Sequence, residues 1–178
     1  MDDFAEKSAN RPRTRAETRA QIVATFNRLM LEGDKDRPRV AEIVAEAGVA
    51  RSTFYDHFHG VEALFDESLS TLLGQLATLL VIGKPQGDLD WLLTHIHENR
   101  ERGRTLLAGP GAERTEALLA RLLAERLEGQ REAKLHAILI AGTVIAALGA
   151  WVTGRINATP RDLSIRLLAT SRAILGAS

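Results

Sequence analysis

Hydrophobic positions recur at helical spacing along nearly all of the 178 residues. Ile22, Phe26, Leu29 and Met30 fall at i, i+4, i+7 and i+8, one apolar face of a helix over 14–32. Gly33 ends it, and a charged loop runs to Pro38. Val40, Ile43 and Val44 mark a second helix over 39–47, and Gly48 follows where a turn requires positive φ. Phe54 and Phe58, one turn apart, anchor a third helix over 50–58, which Gly60 breaks. A longer helix over 61–82 carries Leu64, Phe65, Leu69, Leu72, Leu73, Leu76, Leu79 and Leu80. Beyond the 83–87 loop, Asp88 is placed to cap a helix through 99. A short segment covers 102–108, and Gly109-Pro110-Gly111 turns the chain into an amphipathic helix over 113–128. Helices over 130–154 and 160–175 complete an all-α fold.

The run from Ile43 to Glu62 is the most specific part of this pattern. A short helix, a tight turn at Gly48 and a second short helix make a helix-turn-helix, whose second helix enters the DNA major groove. Arg51, Ser52 and Thr53 open that second helix, where side chains reach base edges. An arginine there can bond guanine O6 and N7 in bidentate fashion. Upstream, Lys7, Arg11, Arg13, Arg15 and Arg19 stand against one acid, Glu17. The whole chain carries no net charge, so this local patch is where phosphate contacts are expected.

The same run resembles the signature of the TetR family of bacterial transcription regulators. The resemblance lies in Ala47-Gly48-Val49, Thr53-Phe54-Tyr55 and His57-Phe58, and it is strongest over residues 15–65. It implies phosphate contacts for Tyr55 and His57. It also implies a four-helix bundle made by the last two helices and the same two of a second subunit, with the intervening helices around a small-molecule pocket. Three positions depart from the pattern. Pro38-Arg39 replaces a small hydroxyl residue, with Arg39 able to take over its phosphate contact. Ala50 replaces a capping serine. Val61 stands where a lysine is common, leaving His59 as a partial substitute.

The expected organisation is a flexible basic arm at 1–12, a three-helix DNA-binding domain at 13–60 and a larger helical ligand-binding and dimerisation domain at 61–178. Residues 137–154 form 18 uncharged positions, long enough for a membrane span, but Ala and Gly dominate and the flanks are polar. No membrane partner is expected. Gly142, Ala146, Gly149 and Ala150 allow close helix approach, either inside a core or across a homodimer. The dimer reading adds Ile145, Leu163 and Leu167. For a small apolar ligand, Trp91 and His95 supply a wall and a polar handle one turn apart. Leu76, Leu106, His136 and Thr143 join them from helix order alone.

The absence of cysteine excludes disulfides and thiolate metal sites and favours a reducing, cytoplasmic compartment. His57/His59 and His95/His97 are spaced i, i+2, on different helix faces, so no metal is expected. Neither a phosphate loop, a nucleophile elbow nor a paired-carboxylate motif occurs, so neither cofactor nor enzymatic activity is expected. The preferred function is a ligand-responsive repressor that binds a pseudo-palindromic double-stranded operator as a homodimer. The alternatives are a helical small-molecule binder or enzyme on the same scaffold, and a DNA-binding protein without a ligand.

Overall fold

The computed structural model describes residues 13–32, 38–82 and 86–176, and the expected arm at 1–12 lies outside them. Within these residues the helices are α1 (Arg15–Glu32), α2 (Val40–Ala47), α3 (Arg51–His57), α4 (Val61–Ile82), α5 (Gln86–Glu98), α6 (Arg100–Leu107), α7 (Pro110–Arg126), α8 (Ala133–Val152) and α9 (Pro160–Gly176). The chain divides into two compact units, at 1–68 and 69–178, so the boundary falls inside α4 rather than at its start.

The first unit closes around Ile22, Phe26, Ile43, Ala47, Phe54, Phe58 and Leu64, all buried. The apolar faces of α1, α2 and α3 converge there as their spacing requires. Thr14 opens α1 through a reciprocal cap. The Thr14 backbone N–H donates to the Glu17 carboxylate at 2.7 Å, and Glu17 N–H donates to Thr14 Oγ1 at 3.2 Å. These bonds from Thr14 hold the Glu17 carboxyl below its usual range. Gly48 closes α2 at φ 63°, ψ 39°, and Val49 N–H reaches back to Val44 O at 3.1 Å. A Cβ at Gly48 would touch nothing, so glycine is needed there for its left-handed backbone and not for space.

In the second unit α7 packs along α8, α6 crosses both, and α5 lies against α9. The small residues of α8 serve this packing. A Cβ on Gly149 would fall well inside van der Waals distance of the Leu107 carbonyl, where α6 ends. The last turn of α8 is capped from α6: Arg104 Nε donates to Val152 O at 3.0 Å and Arg100 Nη2 to Trp151 O at 3.3 Å. α9 starts at Pro160 with Thr159 before it, whose Oγ1 accepts from Asp162 N–H at 3.1 Å. Asp88, expected to cap α5, instead lies inside its first turn, because the helix already begins at Gln86. Both α4 and α8 are long and apolar enough to cross a membrane, yet 56% of the apolar stretch of α8 is buried within this chain. α8 is a core helix of its unit.

The close approach at Gly149 is testable. Gly149→Ala should force α6 from α8 and cost about 1–3 kcal/mol, while Ala146→Gly, on the exposed side of α8, should cost no more than about 1 kcal/mol from helix propensity. Urea unfolding measures both; equal losses would refute the packing role.

Candidate nucleic-acid interface and second-unit cavity

A seven-residue helix is too short to hold itself together, so α3 must be fixed from outside. Ala50 gives it no side-chain cap, which agrees with the loss of the usual serine. Compensation comes from below and from the far end. Phe54 and Phe58 are 0% and 2% exposed and lie 5.8 Å apart, ring to ring. At the C-terminus two α1 arginines take up free carbonyls. Arg15 Nη2 donates to Asp56 O at 2.9 Å, and Arg19 Nη1 donates to His57 O at 2.7 Å. Arg19 also stacks 4.3 Å over the Phe58 ring and forms a two-pronged ion pair with Glu67 of α4.

With one face so anchored, the opposite face is left to solvent. Arg51, Ser52 and Tyr55 are exposed together, and the Arg51 guanidinium sits 5.8 Å from the centre of the Tyr55 ring. Thr53 and His57 flank them, half-buried, and His59 is exposed beyond the helix end. Arg13 and Arg39 are exposed, at the entries to α1 and α2. These eight residues all present polar atoms at the surface of the first unit. Arg15 is exposed too, but its guanidinium is shared with Asp56 O. Sequence reasoning passed over Asp56, an exposed carboxylate on the same face, able to accept from cytosine N4. It also left Arg19 as one more charge in a basic run.

The residues expected around a ligand are scattered through the second unit. Leu76 is in the core and His136 is buried with Nδ1 unpartnered. Thr143 is exposed and its hydroxyl donates to Leu139 O at 2.7 Å. Leu106 and His95 are half-buried, His95 stacked on Trp91 at 5.7 Å. A cavity of about 700 Å³ does exist, between α4, α5 and α7, and of the six expected residues it takes only Trp91. Helix order could not reveal which faces of α4 and α7 meet. Arg126 lies in its wall, a residue the sequence did not single out.

The expected dimer residues also need correction. Ile145, Gly149, Leu163 and Leu167 are buried within the single chain, used up by α6, α7 and α9 packing. Gly142 and Ala150 are partly covered, and Ala146 is exposed. On α8 and α9 the large apolar residues left uncovered are others: Leu135, Ile138, Leu139 and Ile165.

No curated protein matches this sequence. A family model described as bacterial regulatory proteins, tetR family, matches residues 22–68. Among solved structures, a TetR transcriptional regulator from Streptococcus agalactiae 2603V is 23% identical, with 88% of this chain and 94% of that chain covered and a TM-score of 0.51. A tetR-family transcriptional regulator from Streptomyces coelicolor is 16% identical, with 91% and 82% covered and a TM-score of 0.54. Both likenesses extend beyond the helix-turn-helix, over the helices of the second unit as well.

The anchored face predicts separable effects. Arg19→Gln should lower the melting temperature of the first unit by removing an end clamp of α3. Arg51→Ala should leave melting unchanged while costing about 1–3 kcal/mol per base contact. Circular dichroism and DNA titration distinguish the two; unchanged DNA affinity in the Arg51 variant would remove it from the interface.

Proposed function

We propose that the chain is a DNA-binding transcriptional regulator of the tetR family, whose family model matches residues 22–68, and more finely that it is a ligand-responsive repressor acting as a homodimer on a pseudo-palindromic operator. The observation that carries the finer reading is the uncovered face of α8. Leu135, Ile138 and Leu139 are 50%, 58% and 46% exposed, and Thr143 and Ala146 continue the same side toward the C-terminus. These positions recur at three- and four-residue spacings, so they form one stripe, and α9, which packs on α8, leaves its own Ile165 45% exposed. An apolar stripe of this length is an interface by its chemistry. A second copy supplies the matching stripe under two-fold symmetry, each residue meeting its counterpart's neighbours. No membrane is part of the proposal, because the other side of α8 is protein core.

Two copies carry two recognition helices, which explains why the operator should be a pseudo-palindrome. Arg51, Ser52, Thr53 and Tyr55 read base edges and phosphates in each half-site, with Arg13, Arg39, His57 and His59 on the backbone. A ligand held in the second-unit cavity releases the operator only if it binds more tightly to a state that fits DNA poorly.

Ile138→Arg tests the assembly. In the isolated chain the side chain is in water, so the fold should survive. In a dimer it places an unpaired charge in an apolar contact, at a cost of several kcal/mol. Light scattering after gel filtration should report a dimer for the wild type and a monomer for the variant. Selection of genomic fragments by the wild type should return two inverted half-sites, which the variant binds weakly. A wild-type monomer at micromolar concentration that still selects palindromic sites would overturn the dimer reading.

A further inference from the structure

The wall of the second-unit cavity carries one cation, Arg126, which is exposed to solvent but fixed in place by hydrogen bonds. Arg126, the last residue of α7, donates from Nε to Thr78 Oγ1, from Nη1 to Leu122 O and from Nη2 to Gly74 O, each at 2.8 Å. Thr78 in turn donates to Gly74 O at 3.0 Å, which turns its lone pair toward Arg126. All three acceptors are neutral oxygens. No carboxylate pairs with Arg126 among the described residues, although the chain has as many acids as bases. A guanidinium has five N–H groups, so three bonds leave one N–H on each Nη. The bonds hold the planar fork in place before any ligand arrives, which cuts the ordering cost of binding.

The remaining wall is amphipathic. Leu79, Leu92, Leu122 and Trp91 supply apolar surface, and Trp91 is 63% exposed, unusual for a tryptophan in a unit with a packed core. Its ring is stacked nearly parallel on His95, which stiffens it as a flat wall. The one acid in the wall, Asp88, is exposed, and its carboxylate makes no bond among the described residues, so water screens it. A volume of about 700 Å³ suits a drug-sized molecule.

We propose that this cavity binds an amphipathic organic anion, its carboxylate or phosphate head on the two remaining Arg126 N–H groups and its apolar body along Trp91 and the leucines. The inference deepens the reading of a ligand-responsive regulator by giving the ligand a chemical class. Arg126 is the recognising group because, among the lining residues, it joins a fixed geometry to a positive charge without a carboxylate partner. It also ties α7 to α4 through Gly74 and Thr78, so an anion bound to its free N–H groups is coupled to α4 through these bonds.

The test is calorimetry on DNA-free protein with three probes of one shape: 1-naphthaleneacetate, 1-naphthyl phosphate and neutral 1-naphthaleneacetamide. At least one anion should bind about 10- to 100-fold more tightly than the amide, the effect of charge-assisted hydrogen bonds. Whichever anion leads identifies the head group. Arg126→Gln should erase that preference while leaving amide binding within a few-fold, and Arg126→Lys should keep part of it. Trp91→Ala, an exposed change that keeps the fold, should weaken all three probes alike. An amide that binds as well as both anions, a panel that does not bind, or an anion preference that survives Arg126→Gln would overturn the proposal. Should Arg126→Gln fail to fold, wild-type discrimination and the Lys and Trp91 variants still decide. Since no DNA is present, failure here leaves the operator reading standing, and anion binding by a protein that selects no DNA would fail only that reading.

Discussion

Everything the first unit presents to solvent depends on the burial of Phe54 and Phe58 beneath α3. A helix of seven residues gains too little from its own hydrogen bonds to offset its nucleation cost. Two fully buried aromatic rings supply what propensity cannot, each worth a few kcal/mol of burial. Once both point inward, helical geometry leaves Arg51, Ser52 and Tyr55 outward with no further instruction. The polar face is thus a by-product of the apolar one. The Arg19 clamp then adds direction, since one guanidinium bonds the end of α3, covers Phe58 and holds Glu67 of α4. A cation doing three jobs on two helices is hard to replace by lysine, which lacks the planar fork.

The clamp also places a constraint on charge. Arg15 and Arg19 lie in the most basic segment of the chain, yet their guanidiniums are partly committed to carbonyls of α3. Under the proposed DNA-binding role, any phosphate contact by Arg15 would compete with, or share, its bond to Asp56 O, so the same residues would serve both phosphate attraction and support of α3. Salt should then act on two things at once, the attraction to phosphate and the Arg19–Glu67 pair, though the partly covered pair is screened less.

Local structure was legible wherever a pattern is local. The period of Ile22, Phe26, Leu29 and Met30, the positive φ at Gly48 and the Phe54–Phe58 spacing each specify geometry within a few residues, and the helices sit within a few positions of those expected. Less legible is which helix face meets which. Gly149 and Ile145 read equally well as dimer contacts or core, and tertiary packing against α6 and α7 made them core. Leu76 pointed the wrong way for the cavity by the same ignorance. Arg126 was invisible because its partners, Gly74 and Thr78, lie about fifty residues earlier, with nothing in the sequence to link them.

α8 shows why such a helix cannot be assigned by sequence alone. It is apolar on all sides, and a helix of that kind must be covered on all sides. His136, Ile140, Val144, Leu148 and Trp151 are covered by the chain itself. Leu135, Ile138, Leu139 and Ala146 are not. At about 25 cal/mol per Å² of apolar surface, leaving that stripe in water forgoes several kcal/mol that a second copy would recover. A bilayer span would need every side of α8 in lipid, and its inner side is fastened to α6 by Arg100 and Arg104. The inner face of α8 is thus fixed by its own chain, and the proposed second copy would meet only the outer stripe.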